Sequence, residues 1–277
     1  MVESITLSVA QNQALTARRN VAGIRNEASG RLATGRRISK ISGGAHDYLR
    51  ARALSNRASS LLEAKSNITQ GIDSLLATQT GLQAAGQLGQ QLKGLAILAQ
   101  SAQAGDRADL AKQFDTVRQQ LDNLVGDVSY QGVNLLSNPP DTLGVSLSDQ
   151  PGNTFDIAGQ AADSAGLGIG SAAARYGSFA TQADINNAIT ALDSALSTLQ
   201  SQEFSIVGNA AILSVREDFT QGLSDTLQSG ADKLIAANLN AEGARLLSAN
   251  VRDQLSVQGQ RIAARSDQLV LELVQGR

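Results

Sequence analysis

Few residues in this 277-residue chain could carry chemistry. It has one histidine, His46, and no cysteine. A Ser-His-Asp arrangement therefore has a single possible base, and a thiol nucleophile, a thiolate metal site and a disulfide framework are all excluded. The run Gly166-Leu167-Gly168-Ile169-Gly170-Ser171 has the glycine spacing of a phosphate-cradling loop. No hydrophobic strand precedes it, no lysine follows it and an alanine run comes next, so it reads as a flexible tip loop rather than a nucleotide site. Asp106, Asp109 and Asp115 lack the alternating carboxylates and central glycine of a calcium loop and read as a solvated helix face. Asn67-Ile68-Thr69 fits a glycosylation sequon but falls inside a helical pattern, where it reads as a surface patch. The basic start, Arg18, Arg19, Arg25, Arg31, Arg36 and Arg37, has no interleaved aromatics and shares its segment with an apolar stripe. No nucleic-acid binding, cofactor, metal site or enzyme activity is expected from these residues. Contacts of the arginines with acidic segments of neighbouring subunits are.

The elements that must position such contacts are helical. Aromatic residues make up 3% of the chain and there is no tryptophan, while Ala, Gln, Leu and Ser dominate, the bias of long helices packed side by side. Leu54, Ala58, Leu61, Ile68, Ile72, Leu75 and Leu82 form a heptad-like seam, continued by Leu88, Leu92 and Leu95. A second helix is expected after Gly105 and Asp106, with its stripe at Leu110, Phe114, Val117, Leu121, Leu124 and Val128 and its end near Gly126 and Tyr130-Gln131-Gly132. Over 137–180 the pattern changes to Pro139, Pro140, Pro151, repeated Gly and short alternating runs, Leu143-Gly-Val145-Ser-Leu147 and Phe155-Asp-Ile157, which read as turns and short strands. Helical spacing resumes at Ile185, Ile189, Leu192, Leu196 and Leu199 and runs on through Ile206, Ala210 and Leu213, with Thr181 and Asp184 offering N-terminal capping.

The two ends match each other. Leu15, Val21, Ile24, Ala28 and Leu32 near the start, and Leu247, Val251, Leu255, Ile262, Leu269 and Leu273 near the end, form amphipathic stripes too polar for an independent core. The expected fold is mainly α: an elongated antiparallel helical bundle or coiled-coil rod, with a small β-hairpin region at the tip. Residues 1–57 hold ten basic groups against three acids, and residues 101–230 hold five against fifteen, a polarity that favours partners stacking in register. Terminal helices that cannot bury their faces within one subunit bury them against copies of themselves, and a head-to-tail contact that does not close propagates as a helical filament. No run of about twenty apolar residues exists to span a membrane, and the N-terminus lacks the basic stretch and apolar core of a secretory signal.

Four segments then narrow the field. Arg31-Leu-Ala-Thr-Gly-Arg-Arg37-Ile38, Asn67-Ile-Thr-Gln-Gly71-Ile72, Ser129-Tyr-Gln-Gly132-Val-Asn-Leu-Leu136 and Ala237-Asn-Leu-Asn-Ala-Glu242-Gly-Ala244 resemble, in order, four segments of bacterial flagellins of the short alphaproteobacterial type. The segment Ser42-Gly43-Gly44-Ala45-His46-Asp47 departs from the acidic pair the family usually carries there, and Gln275-Gly276-Arg277 extends beyond its usual end. The resemblance implies an N-terminal arm over 1–40 and a C-terminal arm over 234–277 forming the coiled-coil inner tube. It implies helices of the outer layer over 41–136 and 181–233, and a β-rich segment over 137–180 in place of the outer domains of larger flagellins. It further implies a helical homopolymer that serves swimming motility. Its other partners would be the type III flagellar export apparatus, a chaperone, and the hook–filament junction and cap proteins, and it would be secreted to the extracellular flagellum. Leu15, Val21, Ile24, Leu32, Leu247, Val251, Leu255, Ile262, Leu269 and Leu273 are then the expected assembly contacts. A hook–filament junction protein and a soluble coiled-coil adaptor are the alternatives.

Overall fold

The computed structural model describes residues 9–150 and 152–275, with side chains from residue 12 onward except at 263, 267 and 270–275. Pro151, the first eight residues of the N-terminal arm and the final Gly276-Arg277 lie outside the described residues. In chain order the elements are α1 (Val9–Thr34), a 3-10 turn (Ile41–Gly43), α2 (Ala45–Ser101), α3 (Ala104–Asp127), β1 (Thr142–Ser146), β2 (Thr154–Ala158), α4 (Ala172–Arg175), a second 3-10 turn (Gly177–Phe179), α5 (Gln182–Ile235) and α6 (Leu239–Gln275). The chain divides into two compact units, one made by the chain up to Ser55 together with the chain from Leu227 on, the other by Asn56–Thr226.

In the unit of Asn56–Thr226 the seam residues Ile68, Leu75, Leu82 and Leu92 of α2 meet Phe114, Leu121 and Val125 of α3 and Ile185, Leu192, Leu199, Ile206 and Leu213 of α5 in one buried cluster. The three- and four-residue spacing is what turns these side chains to a common side of each helix. The start of α5 carries a reciprocal cap: Thr181 Oγ1 accepts from the Asp184 amide at 3.2 Å, and Asp184 Oδ2 accepts from the Thr181 amide at 3.2 Å. Two donors that the helix leaves unpaired are thereby satisfied. Helix α3 starts at Ala104, so Gly105 and Asp106 lie in its first turn rather than before it, and Arg107 donates to the carbonyls of Gln100 in the last turn of α2 and of Ala102 just after it.

The two strands pair antiparallel, Leu143 opposite Ile157 and Val145 opposite Phe155. This hairpin lies against the flank of α2. A Cβ at Gly71 would stand 2.6 Å from Val145 Cγ2, and Arg57 Nε meets Asp149 at 3.3 Å, both well before the helix ends at Ser101. Gly71 is thus the gap in α2 into which the hairpin presses. The exit from α3 turns through Gln131 (φ 51°) and Gly132 (φ 83°), with Tyr130 and Val133 exchanging backbone hydrogen bonds of 3.0 Å, a two-residue turn with both central residues left-handed. Asn134 then donates to the Val125 carbonyl and accepts from the amides of Leu136 and Ser137.

The glycine-rich stretch is not a flexible loop. Leu167 and Ile169 are buried, and a Cβ at Gly166 or Gly170 would meet Ala161 or Arg175 within 2.7 Å, so the glycines serve close packing. The loop is tied to α3 at Asp122, which accepts from the Ser164 amide (2.7 Å) and hydroxyl (2.9 Å). Asp115 accepts from the amides of Ala172 and Ala173 and is therefore no solvated face residue, whereas Asp109 pairs only with Lys112 at the surface. Phe114 makes edge-on contacts with Tyr176 and Phe179, ring centroids 6.2 and 5.4 Å apart.

Candidate assembly surface

The two terminal helices run antiparallel, and the faces they turn to each other are small and charged. Ala28 of α1 and Ala249 of α6 are buried, and Arg18 and Arg25 both reach Asp253, at 3.5 and 3.6 Å. Glu242 in the first turn of α6 has a side chain only 6% exposed and accepts from Arg31 at 3.1 Å and Arg245 at 3.0 Å through one oxygen. Arg31 also pairs with Glu27, one turn earlier on α1. The two guanidinium donors stand in for the water that the buried side chain has given up. Asn238 caps α6, its side-chain oxygen accepting from the Ala241 amide at 3.1 Å.

The ends of α1 and α5 are clamped by backbone. Arg37 and Ile38 donate to the Ile235 carbonyl at 2.7 and 3.3 Å, and Ala237 donates to the Gly35 carbonyl at 2.9 Å, with Gly35 left-handed at φ 66°. Arg37 Nη2 reaches both Asp47 and the Leu234 carbonyl at 3.1 Å. That guanidinium, with a smaller share from His46, holds the Asp47 carboxyl below the usual aspartate value. The departing segment 42–47 is therefore ordered as a 3-10 turn and the first turn of α2, and its one histidine is an exposed neighbour of Asp47 at 3.3 Å.

The apolar rows are left over. Because Glu242, Ala249 and Asp253 face α1, the row Leu247, Val251, Leu255, Ile262 and Leu269 is exposed along another side of α6, and Leu15 and Ile24 are exposed on α1. Val21 and Leu32 are half-buried, and the side chain of Leu273 lies outside the described residues. Val21, Ile24 and Ala28 line an open groove of about 520 Å³ with Ala249, Arg245 and Arg252. Four of the six arginines at the start, Arg18, Arg25, Arg31 and Arg37, are engaged within the chain instead of being held free for neighbours. Among the described residues no three His, Cys, Asp or Glu side chains gather as metal ligands, and no helix is long and apolar enough to cross a membrane.

Paired terminal helices with apolar rows facing away from their own contact, and a separate helical unit carrying a two-stranded hairpin, define a helical protein built for contacts with other chains. Residues 5–139 match the family model described as the bacterial flagellin N-terminal helical region. The chain is 26% identical to flagellin FljO of Caulobacter vibrioides over 250 residues, 90% of each chain, and 25% identical to a flagellin of Brucella melitensis over 256 residues, 89% of this chain and 90% of that one. A structure from Vibrio parahaemolyticus described as a flagellar hook-associated protein shares the fold, with a TM-score of 0.58 at 15% identity over 70% of this chain and all of that one. The first half of the chain thus carries the helical region of bacterial flagellins, and its similarity to flagellins runs over about nine-tenths of its length.

Two of the four family-like segments meet in space: Arg31 of the first pairs with Glu242 of the fourth. The motifs were visible in the sequence, but nothing in it placed the two charges together. Ala28 and Ala249 at the same contact gave only the weak signal that small residues let helices approach closely.

Proposed function

We infer that this chain is the structural subunit of a bacterial flagellar filament, polymerising with copies of itself and catalysing no reaction. The observation that carries the reading is the uncovered apolar row on α6, Leu247, Val251, Leu255, Ile262 and Leu269, beside Leu15 and Ile24 on α1. At about 25 cal/mol per Å², covering the α6 row alone returns roughly 10 kcal/mol before association and ordering costs. A contact of that kind repeated with several neighbours holds a polymer. Leu15, Val21, Ile24, Leu32, Leu247, Val251, Leu255, Ile262, Leu269 and Leu273 are its assembly residues.

In this reading the arms 1–40 and 234–277 form the inner tube, residues 41–136 and 181–233 the outer layer, and 137–180 a β-containing segment of that layer. The subunit leaves the cell through the flagellar export apparatus, escorted by a chaperone. It then works outside the cell between junction and cap proteins as part of the swimming organelle. The test is seeded polymerisation followed by negative-stain electron microscopy. The full chain is expected to extend filament fragments, and Leu255→Asp with Ile262→Asp to extend none while keeping its helical content. Filaments of normal length and number from the double variant would overturn the assignment of contacts, and no filaments from either chain would overturn the function.

A further inference from the structure

Helix α5 carries a second uncovered apolar face, in the unit of Asn56–Thr226 and independent of the terminal arms. Phe204 is 76% exposed, Ile212 53%, Val215 71% and Phe219 56%, with Val207 also exposed at the edge. Gly208 and Ala211 are exposed between them, and a Cβ at Gly208 would meet nothing within 4 Å. No charged residue lies between Glu203 and Arg216. At 100° per residue, Phe204, Gly208, Ala211, Ile212, Val215 and Phe219 fall within one face roughly 100° wide.

That face is complementary to itself when reversed. A two-fold axis passing between Ala211 and Ile212 sets Phe204 beside Phe219, Gly208 opposite Val215, and Ala211 beside Ile212, so each hollow receives a large side chain and the two ends close with aromatic pairs. The edge positions Ser205, Asn209 and Ser214 are uncharged, so no like charges are forced together. The five large side chains leave about 500 Å² of apolar surface per copy, and a pair buries roughly 1,000 Å², at the low end for a specific interface and in the range of weak dimers.

We propose that a second copy of this chain covers the α5 face in an antiparallel, two-fold pair centred between Ala211 and Ile212. Such a contact closes on itself and does not propagate, so it is distinct from the filament contact and competes with it for free subunits. The occupant is a copy and not an unrelated helix because the alternation of hollow and knob matches its own reversed order.

The chain has no cysteine, so single cysteines report cleanly. Sedimentation of unseeded full-length protein over a range of concentrations is expected to rise to twice the chain mass and stop, and Ala211→Cys to form a covalent dimer under mild oxidation. Ser197→Cys, exposed on the same helix but far from the axis, is expected not to cross-link. Ile212→Asp, and Gly208→Leu, whose added Cβ meets nothing of its own chain within 4 Å, are expected to weaken the dimer at least tenfold while both variants keep the helical content of the parent, with Gly208→Leu melting no lower than it. A monomer at every concentration, a dimer indifferent to Ile212→Asp, or cross-linking at Ser197→Cys equal to that at Ala211→Cys would overturn the proposal. Seeded growth is read separately on the same proteins: filaments without the dimer sink this inference alone, and a dimer without filaments sinks the filament reading alone.

Discussion

Replacing Glu242 with alanine is expected to loosen the pairing of α1 with α6 by about 2 kcal/mol. Breaking a buried ion pair from one side costs about 3–5 kcal/mol, because the charge left behind has given up its water. Here the cost falls below that range: Arg31, at 24% exposure, keeps Glu27, and Arg245, at 59%, turns to solvent. The carboxylate also loses its favourable position in the first turn of α6, about 0.5 kcal/mol of the total. Amide hydrogen exchange reads the effect directly, since about 2 kcal/mol corresponds to roughly 30-fold faster exchange when opening is local. The amides of α1 and of the first turns of α6 are expected to lose that protection, while those around Leu75 and Leu192, in the other compact unit, keep theirs. Glu242→Gln, which retains an acceptor but not the charge, is expected to lose about half as much. Unchanged protection in α1, or an equal loss around Leu75, would refute the reasoning.

Gly71→Ala forces a Cβ to 2.6 Å from Val145 and is expected to destabilise the hairpin's seat by about 1–3 kcal/mol, seen as a lower midpoint in urea unfolding; an unchanged midpoint would mean the strands shift freely. Gln131→Asn places a residue that tolerates left-handed backbone at φ 51° and is expected to raise stability by about 0.5 kcal/mol, measured by thermal unfolding. Asp47 is held below the usual aspartate value, chiefly by Arg37. Its contribution is therefore complete above the unfolded aspartate pKa and is lost as the pH falls through the lower folded one. Carbon-detected NMR titration is expected to place the Asp47 midpoint below the usual aspartate value, and Arg37→Gln to raise it.

The periodic stripes were legible because burial imposes them: Ile68, Leu75, Leu82 and Leu92, and Ile185, Leu192 and Leu199, all occupy the core that their spacing announced. The cap at Thr181 and Asp184 and the two short strands were legible for the same reason, since local chemistry alone decides them. The matching ends were legible, but the residues that join α1 to α6 were not, because the contact is made by alanines and ion pairs while the leucines that dominate the pattern face outward. The glycines of 166–170 read as flexibility, yet close approach of Ala161 and Arg175 is what requires them, a demand that only the folded chain reveals. On α5 the core-facing set Ile206, Ala210 and Leu213, with Ala210 only partly buried, masks a second set, Phe204, Ile212, Val215 and Phe219, offset around the same helix. A helix with two apolar faces carries two periodic signals, and the weaker marks the surface.

Helical reconstruction of the assembled polymer by electron cryo-microscopy tests the central claim most directly. The account predicts a filament in which Leu247, Val251, Leu255, Ile262 and Leu269 are buried against neighbouring copies, while Arg31 and Glu242 remain paired within one chain. A polymer in which that row faces solvent, with the copies joined elsewhere, would contradict it.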